Sequence, residues 1–346
     1  MISIKDIAKE TGYSRSTVSA VLRNTDKELG IKQSTSDTIL NAAKLLGYVK
    51  SNIALEMQKG VTKSFIFLRP KNGYDHLNRG MYQAEFKAMQ HDYSIRNIIF
   101  DSDELNMMRK YLDKAVSLRP AALITCMELE SDKKLLMDYC SKYNLPHLSI
   151  DYDDPDSDIR VVTDDHAGIQ IAVDHLVSLG HTRIAHATDT LKSQYADVRF
   201  RAFCDAMQSR GLTVDESLCF HDYFLDDCSN LKLYAARIAA MKNTPTAIVC
   251  GSDYMAVKLL MILMQHGVRI PDDISIIGYG GVSVSKLTVP ALTTIRQPFE
   301  EMAVTAVTEL IKCVRKEKYQ SYSVIDPQLI PGETTATAKT GRREER

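Results

Sequence analysis

The sequence predicts an α/β protein carrying a small helical head: an N-terminal helix-turn-helix over residues 1–50, then a bilobed core of two doubly wound parallel sheets. Three observations predict it. Short helix-forming stretches punctuated by glycine fill the first 50 residues. From Ser64 onward, β-branched apolar runs alternate with amphipathic stretches, the pattern of a parallel sheet covered by helices on both faces. That alternation then starts afresh near residue 160, which implies two similar units with a cleft between them. A chain of 346 residues with 45% hydrophobic content is long enough for such a division.

In the head, Ser3 followed by Asp6 makes a capping-box-like start, and Ile4, Ile7 and Ala8 form one apolar stripe ending at Gly12. Ser14 can cap a second helix, Arg15 to Leu22, with Val18, Val21 and Leu22 inward and Arg15, Ser16, Ser19 and Ala20 outward. A third helix is expected from about Ser34 to Leu46, stopped by Gly47. Two short helices joined by a tight turn make a helix-turn-helix. The stretch YSRSTVSAVL suits its second helix: short hydroxyl side chains let the backbone approach phosphates, and Arg15 is long enough to reach a base edge.

The body reads as FIFL, helix 78–91, SIRNIIF, helix 103–118, AALITC, helix 131–143 and HLSI. After that come RVV, helix 165–179, RIAHA, helix 198–208, a strand near Cys219, helix 226–241, TAIVC, helix 254–266 and ISIIGYG. Ligand sites in such sheets lie at the C-terminal ends of the strands.

Charge divides in the same place. Residues 1–63 hold ten Lys/Arg and six Asp/Glu, net +4, which leaves 33 against 38, net −5, for the rest of the chain. A basic head on an acidic body suits a head that meets a polyanion. Seven scattered cysteines without a C-x-x-C pattern read as thiols of a reducing compartment. No apolar run reaches the roughly 18 residues of a membrane span and the first ten residues are polar, so a cytoplasmic protein is expected.

IKDIAKETGYSRSTVSAVLRN followed by TSDTILNAAKLLGY resembles the DNA-binding head of the LacI/GalR family of bacterial transcription regulators. Residues 48–57, YVKSNIALEM, resemble that family's hinge helix, so 51–60 is expected to be a hinge helix and linker. The resemblance continues through VVTDDHAG (161–168), HLVSLGHTRIAH (175–186), PTAIVCGSDYMA (245–256), RIPDDISIIGYG (269–280) and PALTTIRQP (290–298), and so spans nearly the whole chain. It implies a periplasmic-binding-protein-like core over 61–338 whose chain crosses between lobes near Thr163, Pro290 and Asp326. Lobe one would take 61–162 and 291–325, lobe two 163–290 and 326–338, with 339–346 a disordered tail. TAKTGRREER carries no leucine heptad, so the tetramer-forming extension of some relatives is not expected.

For DNA, the resemblance implies contacts from Ser3, Ser14, Arg15, Ser16, Thr17, Ser19 and Ala20. Lys32 and Thr35 add to these, and Ser51, Ala54 and Met57 would act in the hinge, the last two as a minor-groove wedge. Three departures stand out: Lys50-Ser51 replaces the usual Pro-Asn, Met57 replaces a leucine, and Ala20 stands where many members carry a base-reading arginine. For the effector, Arg199 matches the arginine that grips ligand hydroxyls, and Asp151, Ser252 and Gln297 match polar cleft positions. Gly280 departs from the pattern, since an aspartate usually follows Gly-Tyr. Arg69 and Lys71 are expected at the cleft mouth. With an acceptor missing at 280 and cations retained, an acidic or phosphorylated sugar is expected ahead of a neutral one.

Other patterns carry less. The acidic run 151–158 lacks the glycine and glutamate of a calcium loop. His175, His181 and His186 have no zinc spacing, and GYGG has no accompanying Walker lysine. No nucleophile, base and orienting acid assemble, so no enzyme, cofactor or metal site is expected. The leading reading is a ligand-responsive repressor of carbohydrate-related genes, binding a palindromic operator as a homodimer. Its competitor, a bilobed receptor or sugar-modifying enzyme, leaves the DNA-reading head unexplained.

Overall fold

The computed structural model describes residues 2–49, 62–71, 75–100, 108–126, 133–223 and 228–339. It falls into two compact units divided between Thr62 and Lys63. The proposed hinge, with Ser51, Ala54 and Met57, and the tail 340–346 lie outside the described residues.

The first unit holds α1 (Ile4–Thr11), α2 (Arg15–Leu22) and α3 (Gln33–Leu45). Asp6 accepts hydrogen bonds from the Ser3 amide at 2.9 Å and the Ser3 hydroxyl at 2.7 Å, which fixes the start of α1. Gly12, at φ 73°, ends it in the left-handed conformation that glycine adopts without penalty. The three helices bury Ile7, Val18, Val21, Ile39 and Ala43 against one another. Ser36 donates to Asp26 at 2.7 Å and ties the α2–α3 loop to α3.

The second unit contains two six-stranded sheets. Lobe one is built from β1 (Ser64–Pro70), α4 (Asp75–Met89), β2 (Ser94–Phe100), α5 (Met108–Ser117), β3 (Ala122–Thr125), α6 (Lys133–Tyr143), β4 (His147–Ile150) and β5 (Ile159–Thr163). Lobe two follows with α7 (Asp165–Ser178), β6 (Ile184–Thr188), α8 (Gln194–Ser209), β7 (Cys219–His221), α9 (Ser229–Ala240), β8 (Ala247–Cys250), α10 (Asp253–Gln265), β9 (Ser275–Gly280) and β10 (Thr293–Arg296). The chain then returns through α11 (Phe299–Val314) and β11 (Tyr322–Ile325) before β12 (Gln328–Ile330). Strand order is β11-β5-β4-β3-β1-β2 in lobe one and β12-β10-β9-β8-β6-β7 in lobe two. Every pairing is parallel except β10 with β12.

One boundary differs from expectation. The expected crossing at Pro290 places residues 291–296 in lobe one, yet β10 pairs in register with β9, Thr293 opposite Ile277. The β-branched run Thr293-Thr294-Ile295 is buried in the second sheet, and the chain leaves that sheet only at Gln297-Pro298. α11, which the sequence pattern above does not include, then covers lobe one. Phe299, Met302, Ala303, Ala306, Val307, Leu310 and Ile311 recur at helical spacing and are all buried.

The motifs set aside have structural roles. Lys133 bridges Asp154 at 2.8 Å and Asp156 at 2.9 Å, and Arg160 holds Asp153 at 2.7 Å. His181 is buried between Thr246 and the Ala336 carbonyl, both at 2.9 Å. Among the described residues no group of three His, Cys, Asp or Glu side chains is arranged to hold a metal, and no helix is long and apolar enough to cross a membrane.

Candidate functional site

In the first unit, α2 presents its N-terminal end to solvent. Ser14 accepts from the Thr17 amide at 3.1 Å, and its hydroxyl lies 2.7 Å from that of Ser16 and 2.8 Å from that of Thr17. Ser14, Arg15 and Ser16 are exposed, Thr17 and Ser19 half-buried. The first turn carries no acid, so nothing opposes a phosphate at the positive end of the helix dipole. Ser3 and Lys32 are exposed and Thr35 half-buried. Ala20, expected to face out, is instead buried, and its carbonyl accepts from the Thr25 amide at 3.0 Å. The Thr25 hydroxyl also donates to that carbonyl, at 3.2 Å, so the chain turns back over Ala20 and it offers no side chain to a base.

In the second unit, a cavity enclosing about 560 Å³ of empty space, part of it open to solvent, lies at the C-terminal ends of the strands. Four tyrosines wall it: Tyr152, Tyr195, Tyr254 and Tyr279. Arg199 on α8 is buried at its centre. The guanidinium donates from Nη1 to the Gly251 carbonyl at 2.8 Å and from Nη2 to Gln297 Oε1 at 3.2 Å, and it pairs with Asp165 Oδ1 at 3.1 Å. It stacks over the Tyr279 ring at 4.0 Å. Its Nε is buried and has no partner among the described residues.

The surroundings hold that cation in place. Tyr279 donates to Asp165 at 2.6 Å, and Gly168 on α7 makes room, since a Cβ there would stand 2.4 Å from the phenol oxygen. Burial alone would lower the pKa of Arg199, but Asp165, Tyr279 and Asp151 more than offset it and hold the guanidinium charged. Gln297 passes the network on by donating to Asp151 at 3.3 Å. Burial pushes the Asp151 carboxyl up to about 6, against the attraction of Arg199.

Arg199, Asp151 and Gln297 are thus brought together, and Ser252 and Gly280 line the same cavity. Ser252 caps α10, accepting from the Met255 amide at 3.2 Å. Arg69 is not among the lining residues; its Nη1 donates to Asn78 at 3.3 Å. Sequence reasoning missed Asp165 and Asp253, although both sat inside quoted motifs, VVTDDHAG and GSDYMA, where each read as the start of a helix. Asp253 is fully buried; it accepts from Thr294 at 2.5 Å and from the Val282 amide at 2.8 Å. Burial pushes its pKa up to about 6, against those hydrogen bonds. Its Oδ2 lies 3.6 Å from where a Cβ on Gly280 would be, so a carboxylate stands beside the position whose aspartate is missing.

The expectation of an acidic ligand counted one cation and a missing acceptor, and the cavity holds more acids than that. Asp151, Asp165 and Asp253 surround a single guanidinium, whose charge Asp165 already meets. A second anion would face an excess of carboxylates.

The signature of the bacterial regulatory proteins of the lacI family matches residues 3–51, and that of a periplasmic binding protein-like domain matches 173–335. The HTH-type transcriptional repressor PurR of Photobacterium profundum is 30% identical over 336 residues, covering 95% of this chain and 97% of that protein. PurR of Haemophilus influenzae is 29% identical over 342 residues, with the same coverage. Among solved structures, a lac repressor dimer bound to operator and the anti-inducer ONPF superposes with a TM-score of 0.82 at 21% identity, covering 97% of this chain and 99% of that one. A CelR–cellobiose complex follows at 0.68 and 18%, covering 96% and 100%.

A DNA-binding head joined to a bilobed ligand-binding body defines a ligand-responsive transcription repressor, a regulator and not an enzyme. The chain belongs to the LacI family of bacterial regulatory proteins.

Proposed function

We propose that this repressor binds a palindromic operator as a homodimer in the cytoplasm, and that a neutral, hydroxyl-rich ligand of carbohydrate type in the Arg199 cavity shifts its hold on DNA. The observation that carries the ligand assignment is a buried, charge-compensated Arg199 lining a tyrosine-walled cavity. Tyrosine faces suit the apolar faces of a sugar ring, while Arg199, Asp151 and Gln297 supply donors and acceptors for its hydroxyls. The dimer rests on geometry: one α2 covers a half-site, so an inverted repeat calls for two-fold symmetry. α4 offers a surface for it, with Tyr82, Phe86 and Met89 at i, i+4 and i+7 exposed by 69%, 48% and 64%. A dimeric relative on operator DNA supports the same arrangement.

In this reading Arg15 and Ser16 read the major groove, Ser3, Ser14, Thr17, Ser19, Lys32 and Thr35 position the head on phosphates, and Ser51, Ala54 and Met57 engage the minor groove. Isothermal titration of the full chain against matched neutral, acidic and phosphorylated sugars tests the ligand class. Tight binding confined to the anionic members would overturn it. Sedimentation of Phe86→Glu tests the dimer: the variant is expected to be monomeric and to lose palindrome preference.

A further inference from the structure

The turn Gly280-Gly281-Val282 joins three parts of the second unit. Gly280 lines the cavity, at a φ of 127°. The Gly281 carbonyl accepts from Arg79 Nη1 at 2.8 Å, and Arg79 belongs to α4 in lobe one. Val282 is buried within the lobe-one core beside Phe299 and Met302, while its amide donates back to Asp253 in lobe two. Gly281 is required for the close fit: a Cβ there would stand 2.9 Å from both Cα and Cβ of Arg296.

Arg79 is itself oriented. Its Nε and Nη2 both donate to Glu300 Oε1, the former at 2.9 Å, in the first turn of α11. Arg296, at the end of β10, holds Glu301 at 2.9 Å and Glu300 at 3.4 Å from the other side. The guanidinium and Glu300 are each about a quarter exposed, so the pair is partly shielded from water. A surface ion pair alone would be worth little; a planar guanidinium fixed by a carboxylate and aimed at one backbone carbonyl is a positional device.

We infer that Arg79 is a positioning residue of the effector site, which ties the Gly280–Val282 turn on the cavity wall to α4 and transmits displacement of that turn to lobe one. This rests on the reading of the cavity as the effector site. A ligand that moves the turn moves a carbonyl on which α4 depends, and by reciprocity a DNA-bound state that favours one placement of lobe one alters the turn.

The test uses the full chain as wild type, Arg79→Gln and Arg79→Lys, followed by hydrogen exchange of the backbone over residues 278–284. The probe is a palindromic duplex selected from random DNA by the wild-type protein. Without DNA, Arg79→Gln is expected to exchange about tenfold faster in this segment, with Arg79→Lys between it and wild type. With duplex, wild type is expected to change its exchange there by about threefold or more. Arg79→Gln should lose that response while binding the duplex within about threefold of wild-type affinity. Unchanged exchange in Arg79→Gln without DNA, or a wild-type response retained by it, overturns the inference. Failure of the wild-type protein to select any duplex instead counts against the operator reading, and leaves the DNA-free comparison to decide on the tie itself.

Discussion

Replacing Arg199 by methionine tests whether the buried guanidinium organises the cavity. The substitution keeps much of the apolar stem, so the loss is chiefly electrostatic: Asp165 keeps only its bond from Tyr279, and the Gly251 carbonyl and Gln297 each lose a donor. Removing one partner of a buried pair costs roughly 3–5 kcal/mol, because the other charge is left uncompensated. Here the side chains are 8% and 17% exposed, and the Tyr279 bond remains, so the lower end applies, about 3 kcal/mol. At about 2.1 cal/mol/K per residue, a unit spanning Lys63–Arg346 loses roughly 1.7 °C in Tm per kcal/mol, a fall of about 5 °C by calorimetry at pH 7. Asp165→Asn in the same background removes the stranded charge, so the double variant should be more stable than the sum of single losses predicts, by about 2 kcal/mol. A loss below about 1 kcal/mol for Arg199→Met, or strict additivity, refutes the network.

Arg15→Ala should leave the Tm within about 1 °C, since the residue is exposed, yet lose about 1–3 kcal/mol of discrimination at one base position per half-site, read by competition binding against operator variants. Gly280→Asp, which restores the family's usual residue, should destabilise the body by about 2–4 kcal/mol, because φ 127° is strained for any L side chain and the new carboxylate would meet Asp253; tighter sugar binding at unchanged Tm would contradict this. Asp151 gives a pH signature. Its folded pKa is raised to about 6, so the folded chain holds a proton that the unfolded chain has released; the resulting stability is present below the ordinary carboxylate range and lost as pH rises through 6. Denaturation of wild type and Asp151→Asn from pH 4 to 7 should show the difference falling with pH, on the order of 2 kcal/mol in all; a difference that rises would reverse the assignment.

The alternation of strand and helix was legible because each element carries its own period. The buried apolar series of α11 is just as regular. A proline marks where a strand or helix stops, but which sheet the next strand joins depends on partners far away in sequence. Thr293 lies opposite Ile277, and no local pattern states that pairing. Ala20 shows the same limit at smaller scale. Its burial comes with the turn after α2, where Thr25 folds back to bond the Ala20 carbonyl, and the helix period alone does not state the path of that turn.

The cavity shows why a missing charge is easier to read than a present one. GYGG announces the absence of an aspartate, and beside Arg199, Arg69 and Lys71 that absence points to an anionic ligand. What the sequence does not announce is that Asp253, 27 positions earlier, sends its carboxylate into the same space, or that Asp165 has already met the charge of Arg199. Both acids read as helix starts, where an acid is ordinary. The conformation of the turn also changes the meaning of the substitution. With Gly281 pressed on the backbone of Arg296 and its carbonyl held by Arg79, the two glycines are conditions for a close passage between lobes. The departure from the family pattern therefore removes an acceptor and builds a connection at one position, and its effect on ligand choice cannot be separated from its effect on how the lobes are joined.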